Sequence, residues 1–340
     1  MKTTAALAAA LALALPSAPA RAAAPPAAAT RPGVPLADPF VLLHDGVYHA
    51  YGTGGGRGIE VYTSADLAAW TPHPAPALAK ADSWGEKWFW APEVYYNKDN
   101  KTFYMYYSAE ERLCVATAAS PLGPFAQKER RPMLDEKAID STLFIDDDGA
   151  PWLFFVRVTT GGGHKNTIWA AGLERDLVTI KKETLVKCAG ASQPWEKKDG
   201  NINEGPSVLK RGGVYYMLYS GNGYTSPDYG VGLATAPSPR GPWEKSPDNP
   251  LLQKSAPGLV GAGHGAPFAD KAGRWKYVFH AHASPQAVHP RKMYITDMSA
   301  ADGRVTICKN NITPATVAAI ITAESPPLQP PEPAPPPPAS

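Results

Sequence analysis

Apolar and aromatic residues gather in five hairpin-like runs, each introduced by a short lead of polar, acidic or turn-forming residues. The runs are Gly46-Val-Tyr-His-Ala-Tyr51, Lys101-Thr-Phe-Tyr-Met-Tyr-Tyr107, Ala150-Pro-Trp-Leu-Phe-Phe155, Gly213-Val-Tyr-Tyr-Met-Leu-Tyr219 and Gly273-Arg-Trp-Lys-Tyr-Val-Phe279. Their starts lie roughly 49 to 63 residues apart, the period of a repeated supersecondary unit. Three clear strands and a weaker fourth are expected in each unit. The first unit gives 40–43, 48–52 and 59–63, with the Asp45-Gly46 hairpin signal between the first two. The others give 94–96, 103–108 and 113–117; 143–145, 152–156 and 168–171; 207–209, 214–220 and 231–235; and 266–269, 275–280 and 293–296. Segments after the third strands echo one another, as in Ser120-Pro-Leu-Gly-Pro-Phe125 and Ser238-Pro-Arg-Gly-Pro-Trp243. No long stretch has helical periodicity, which disfavours alternating strands and helices. The pattern predicts an all-β fold, a five-bladed β-propeller, with a β-sandwich as the alternative.

The leads are Asp38-Pro39, Pro92-Glu93, Asp140-Ser141, Glu204-Gly205-Pro206 and His264-Gly265. Each is expected just before the first strand of its unit. If the units pack radially, equivalent positions converge, and Asp38, Asp140 and Glu204 share one pocket. Crowded like charges raise at least one pKa, so one carboxyl stays protonated while another stays ionised. Such a pair in a neutral, aromatic-rich pocket suits glycoside hydrolysis. Trp84, Trp88, Trp90, Tyr224 and Tyr229 stand near the leads and offer rings for a sugar face, although core packing is the commoner fate of an aromatic side chain.

Composition narrows the setting. The chain has 340 residues, 44% of them hydrophobic, enough for a large packed core. Residues 1–22 read as a cleaved secretory signal, with Lys2 ahead of an apolar stretch and small residues at Ala18-Pro-Ala20 and Ala20-Arg-Ala22. Losing Lys2 and Arg21 takes the formal charge from +2 to 0. A neutral surface argues against nucleic acid or an anionic membrane and suits a neutral substrate. The expected product is secreted, periplasmic or extracellular, and monomeric. Residues 23–33 and the proline-rich 326–340 are expected to be loose, leaving 34–325 as the folded domain. Cys114, Cys188 and Cys308 are odd in number and lack metal-ligand spacing, so at most one bridge forms within the chain. Asp146-Asp-Asp148 reads as a solvated turn, since it lacks the spacing of a calcium loop.

The motifs Ala37-Asp-Pro-Phe40, Trp90-Ala-Pro-Glu-Val94, Ile139-Asp-Ser-Thr-Leu-Phe-Ile-Asp146, Asn203-Glu-Gly-Pro-Ser207 and Gly263-His-Gly265, in this order, resemble glycoside hydrolase family 43. That family comprises five-bladed arabinofuranosidases, xylosidases and arabinanases, and the resemblance spans roughly 33–310. It implies Asp38 as general base, Asp140 as the acid that orients its partner and tunes its pKa, and Glu204 as general acid. It implies inversion, with base and acid roughly 6.5–9.5 Å apart. Arg291, in His289-Pro-Arg-Lys-Met-Tyr294, matches an arginine that contacts the sugar beside the scissile bond. Trp90, Glu93 and Tyr224 are the other expected substrate contacts. His264 matches an axial histidine, with either a structural calcium ion or only water in the channel; no cofactor is required. Read singly, Asp38 is an Asp-Pro turn, Asp140 a cap and Glu204 part of a plain loop. The readings to separate are an exo-acting α-L-arabinofuranosidase or β-D-xylosidase, an endo-acting arabinanase, a non-catalytic sugar-binding propeller, and a retaining fructoside hydrolase.

Overall fold

The computed structural model describes residues 32–159, 165–254 and 258–318. The expected signal segment, most of 23–33 and the 326–340 tail lie outside the described residues. Every predicted hairpin forms the middle of an antiparallel meander. The five meanders begin with the strands Ala37–His44, Trp90–Asn97, Ala138–Ile145, Asn201–Arg211 and Gly263–Ala269. Their middle strands are Val47–Thr53, Thr102–Ala109, Pro151–Thr159, Val214–Gly221 and Trp275–Ala281. There is no α-helix among the described residues.

The leading strands start three to six residues earlier than the sequence pattern suggests, and the leads lie inside them. A β-bulge at one fixed place in all five units makes this extension feasible. Two residues oppose one on the middle strand at Asp38-Pro39, Ala91-Pro92, Asp140-Ser141, Gly205-Pro206 and His264-Gly265. The first residue of each bulge is left-handed, with φ of 50° at Asp38, 43° at Ala91, 57° at Asp140, 54° at Gly205 and 41° at His264. Proline tolerates the second position because a bulge residue need not donate to the ladder. A left-handed residue in a bulge bends its strand and re-aims its side chain.

The aromatic hairpins are explained by burial on both faces. Alternate residues of a strand point to opposite sides, so a middle strand packed between two neighbours is apolar throughout. Phe103, Met105 and Tyr107 join Tyr51 and Val61 of the first unit, while Tyr104 and Tyr106 join Leu153 and Phe155 of the third. Phe154 and Val156 meet Met217 and Tyr219, and Tyr216 and Leu218 meet Tyr277 and Phe279. Val41 and Tyr48 meet Phe268 and Val278, which joins the fifth unit to the first. Each fully buried large side chain contributes about 1.5–3 kcal/mol of transfer free energy.

Two seams go beyond packing. The strand Lys165–Gly172 reaches across to the fourth unit and pairs in parallel with Asn201–Arg211, at Lys165/Asn201 and Asn166/Ile202. The short strand Thr316–Val317 pairs in parallel with Ala69–Trp70 of the first unit. Val34 is held there by its N–H to the Ala315 carbonyl at 2.9 Å. Cys114, Cys188 and Cys308 are all free thiols.

Candidate active site

The bulge frame places the acids. Asp38, Asp140 and His264 hold the same first-bulge position in the first, third and fifth units, with Ala91 and Gly205 as their counterparts. Glu204 is one residue upstream of that position, in register with Trp90 and Ile139. The sequence lead had made it equivalent to the two aspartates; the register corrects this. Gly205 is required where it stands, because a Cβ there would come within 2.7 Å of the His264 ring. These side chains wall a cavity of about 270 Å3 together with Trp90, Asn166, Tyr224 and Arg291. A groove of about 370 Å3 on the seam of the first and fifth units is lined by charges already paired, Asp270 with Arg274 and Lys276 with Asp297, and gathers no reactive set.

Each left-handed bulge residue needs a partner for its buried N–H. Asp38 N–H donates to His280 Nδ1 at 3.1 Å, and Ala91 N–H to Thr53 Oγ1 at 3.1 Å. Asp140 N–H donates to Ser108 Oγ at 3.1 Å and His264 N–H to Ser220 Oγ at 2.7 Å. All four acceptors hold one equivalent middle-strand position of the preceding unit. In the third unit that position is Val156, which has no acceptor. Gly205 N–H donates instead to Asp140 Oδ2 at 3.3 Å, joining Asp140 to the strand that carries Glu204.

Asp38 is gripped by cationic and polar groups. Arg291 Nη1 donates to Oδ1 at 2.8 Å and Nη2 to Oδ2 at 3.3 Å. The Thr53 hydroxyl donates to Oδ2, and the Nδ1 atoms of His264 and His280 each lie 3.2 Å from Oδ1. Burial alone would raise this carboxyl, but Arg291, with His264, outweighs it and holds Asp38 well below the usual range. Burial and Arg291 push the His280 imidazole down to about 3, so it is neutral.

Glu204 is equally enclosed but has only neutral donors. Tyr229 O–H donates to Oε1 at 2.8 Å and Asn166 Nδ2 to Oε2 at 3.2 Å. Burial pushes Glu204 up to about 7, against those two bonds and with help from the Asp38 charge. Asp140 is raised well above its ordinary value by burial and by the negative charges of Glu204 and Asp38. Near neutral pH the pocket therefore holds an ionised Asp38 opposite a Glu204 that still keeps its proton part of the time, with Asp140 also raised. That is the division of labour that general base–acid catalysis needs.

At the rim, Trp90 stacks on Trp88 with ring centroids 5.6 Å apart and 18° between planes. Tyr224 is 40% exposed and lies beneath the Arg291 guanidinium, 4.5 Å from ring centroid to Cζ. Trp90, Tyr224 and Arg291 line the pocket, although the Arg291 Nη atoms are spent on Asp38. Glu93 does not. It falls directly after its bulge, outside the pocket lining, and accepts a bond from the Tyr95 hydroxyl. Burial pushes it up to about 7. His264 offers no metal cage: among the described residues no group of three or more His, Cys, Asp or Glu could hold an ion. Sequence reasoning missed Asn166 and His280 and did not place Tyr229, which is fully buried against Glu204. The His280 and Tyr229 rings stack 5.7 Å apart, joining the two halves of the site.

The sequence model of glycosyl hydrolases family 43 matches residues 33–305. A solved structure titled an endo-1,4-beta-xylanase from Bacteroides thetaiotaomicron is 50% identical; the match covers 84% of this chain and 98% of that one, with a TM-score of 0.80. A thermostable family-43 glycoside hydrolase is 34% identical, over 80% of this chain and 92% of that one, with a TM-score of 0.74. A beta-D-galactofuranosidase from Aspergillus niger is 28% identical over 79% of this chain and 77% of its own length. The chain spans less than half the length of several other curated relatives.

Proposed function

This chain belongs to glycosyl hydrolases family 43, and on that premise we propose that it is an inverting, exo-acting glycosidase. Its substrates are α-L-arabinofuranosyl or β-D-xylosyl ends of plant polysaccharide fragments. The observation that carries the reading is the contrast within one pocket between Asp38, gripped by the Arg291 guanidinium, and Glu204, met only by neutral donors. Asp38 takes a proton from water as the water oxygen attacks the anomeric carbon. The bond to the leaving oxygen breaks, and Glu204 delivers its proton to that oxygen. Asp140 and Glu204 crowd one another, so ionisation of either one favours the proton on the other. Arg291 holds Asp38 ionised and in place. The cavity of about 270 Å3 lies near the low end for ligand sites, ~300–1,000 Å3. That size supports release of single sugars over internal cleavage.

The test is hydrolysis of 4-nitrophenyl α-L-arabinofuranoside, β-D-xyloside and β-D-galactofuranoside and of the matching oligosaccharides, with Glu204→Gln alongside. Turnover of one sugar, lost on oligosaccharides in the variant, is expected. Binding without turnover would instead identify a sugar-binding module, and release of internal fragments alone would identify an endo-enzyme. The first anomer, read by NMR, decides inversion. The furanosidase from Aspergillus niger and the xylanase-titled structure are why both sugar classes stand in the panel.

The same proposal takes the five meanders as blades of one propeller. The cyclic neighbourhood of the five leading strands and the seam at Thr316–Val317 support it. It also takes residues 1–22 as an export signal and the glycan as the partner of a monomer. His264 supplies calcium with one nitrogen and no protein oxygen set, so a calcium ion is not fitted to these residues.

A further inference from the structure

Five large apolar side chains are exposed among the described residues, and two of them are aromatic, Trp88 and Tyr224. Both stand at the active-site pocket: Tyr224 lines it, and Trp88 stacks on Trp90, which lines it. Trp88 is 45% exposed, and its backbone is left-handed with φ of 61°. Each is unfavourable for a tryptophan. Exposure leaves a large apolar area in water, and a positive φ is a steric outlier for a bulky side chain. The chain nevertheless fixes it there. The Lys87 carbonyl accepts from Glu110 N–H at 3.2 Å, and the Phe89 carbonyl accepts from Gly54 N–H at 2.8 Å. Phe89 is buried in the core of the first two units, and Trp84 packs against the same core. Trp88 thus projects from a segment anchored on both sides of it, and backbone strain held in this way gathers at ligand sites.

Its direction follows from the strand it precedes. Trp90 opens the leading strand of the second unit opposite Ser108, and the middle strand ends one residue later at Ala109. Trp88, two residues upstream, therefore stands beyond the end of that ladder, on the outer side of Trp90. The exposed Lys87 carries its Nζ 4.4 Å from the Trp88 ring centroid, which sets ammonium donors beside the ring. A pocket that takes one sugar leaves the rest of the glycan to cross the rim. A ring suits the C–H face of a sugar, and an ammonium suits its hydroxyls. We propose that Trp88, with Lys87, forms an outer subsite for the glycan beyond the sugar being released, so that longer leaving chains are the preferred substrates. This deepens the exo-glycosidase reading above and rests on it. Contacts so far from the reacting atoms bind ground state and transition state alike, so the gain falls on KM and not on kcat.

The experiment measures kcat and KM for the di-, tri- and tetrasaccharides of the sugar found in the 4-nitrophenyl panel, alongside that 4-nitrophenyl glycoside. Wild type should gain about fivefold in kcat/KM from disaccharide to tetrasaccharide, through KM. In Trp88→Ala the gain should fall to within twofold, and Trp88→Tyr, which keeps a ring, should retain most of it. A wild-type gain under twofold, or an undiminished gain in Trp88→Ala, overturns the proposal while leaving the exo-glycosidase reading intact. An equal loss in Trp88→Ala on the 4-nitrophenyl glycoside and on every oligosaccharide would make Trp88 a prop for Trp90 alone, and overturns it too. If wild type releases no single sugar from any of these substrates, the exo-glycosidase reading fails and this proposal fails with it. Should Trp88→Ala not fold, the wild-type series and Lys87→Ala still decide: about half of the gain should be lost in Lys87→Ala, and an unchanged gain there overturns the subsite.

Discussion

Asp38 and Glu204 are buried to nearly the same degree, 8% and 9% exposed, yet they sit at opposite ends of the carboxyl scale. Burial pushes both upward. The difference lies in their partners: a guanidinium and two imidazoles face Asp38, while a phenol and an amide face Glu204. Neutral donors soften the cost of ionising a buried acid, but only a full positive charge reverses it here. The pocket gets a base and an acid by distributing cations unevenly around two similar carboxyls.

The strongest way to break that contrast is to remove either carboxyl. Asp38→Asn and Glu204→Gln should each lower kcat/KM on oligosaccharides by about 10²–10⁴-fold, with Glu204→Gln much less affected on 4-nitrophenyl glycosides. Arg291→Met takes away the cation. Asp38 should then rise, the acidic limb of the pH–rate profile should move to higher pH, and kcat/KM should fall about 10²-fold at neutral pH, as read from a full profile. Tyr229→Phe strips a donor that favours ionised Glu204. Its basic limb, which in wild type should fall away above about pH 7, should move upward, with about a tenfold loss in kcat. Because Glu204 and Asp140 titrate together, that limb belongs to the pair.

Val156→Ser sharpens the contrast more gently. It offers Gly205 N–H the hydroxyl acceptor that Ser108 and Ser220 provide elsewhere. Asp140 should then hold its proton more firmly and repel Glu204 less. The expected result is a basic limb shifted to lower pH by a fraction of a unit and a loss of a few-fold in kcat/KM. The smallest effect expected is from chelation: EDTA should change kcat/KM by less than twofold, as measured on desalted enzyme.

The acids were legible because each belongs to a short motif with its own proline, glycine or serine, and the hairpins were legible because two-sided burial makes them unmistakably aromatic. The bulge was not. Its left-handed residues are Asp, Ala, Asp, Gly and His, with glycine marking only one of them. Without the bulge, Glu93 looks equivalent to the aspartates, when its true counterpart is Ala91. Asn166 was hidden for another reason: it enters from a neighbouring unit, carried by a two-residue parallel pairing that leaves no periodic trace. Tyr224 and Tyr229 share one loop, and only burial distinguishes the rim ring from the one that supports the acid. His280 reads as one more position in an apolar strand until its ring is found touching both Asp38 and Arg291.

The pairing of Thr316–Val317 with Ala69–Trp70 also sets a schedule for synthesis. The first sheet to leave the ribosome must wait for nearly 250 further residues before its last edge is covered. Until then Trp70, fully enclosed in the finished protein, has an unfinished border beside it. An uncovered strand edge of this kind invites pairing with another chain. Contacts so distant in sequence also fold slowly. A nascent chain stalled before residue 316 would therefore present an open β-edge, a hazard that completion of the chain removes.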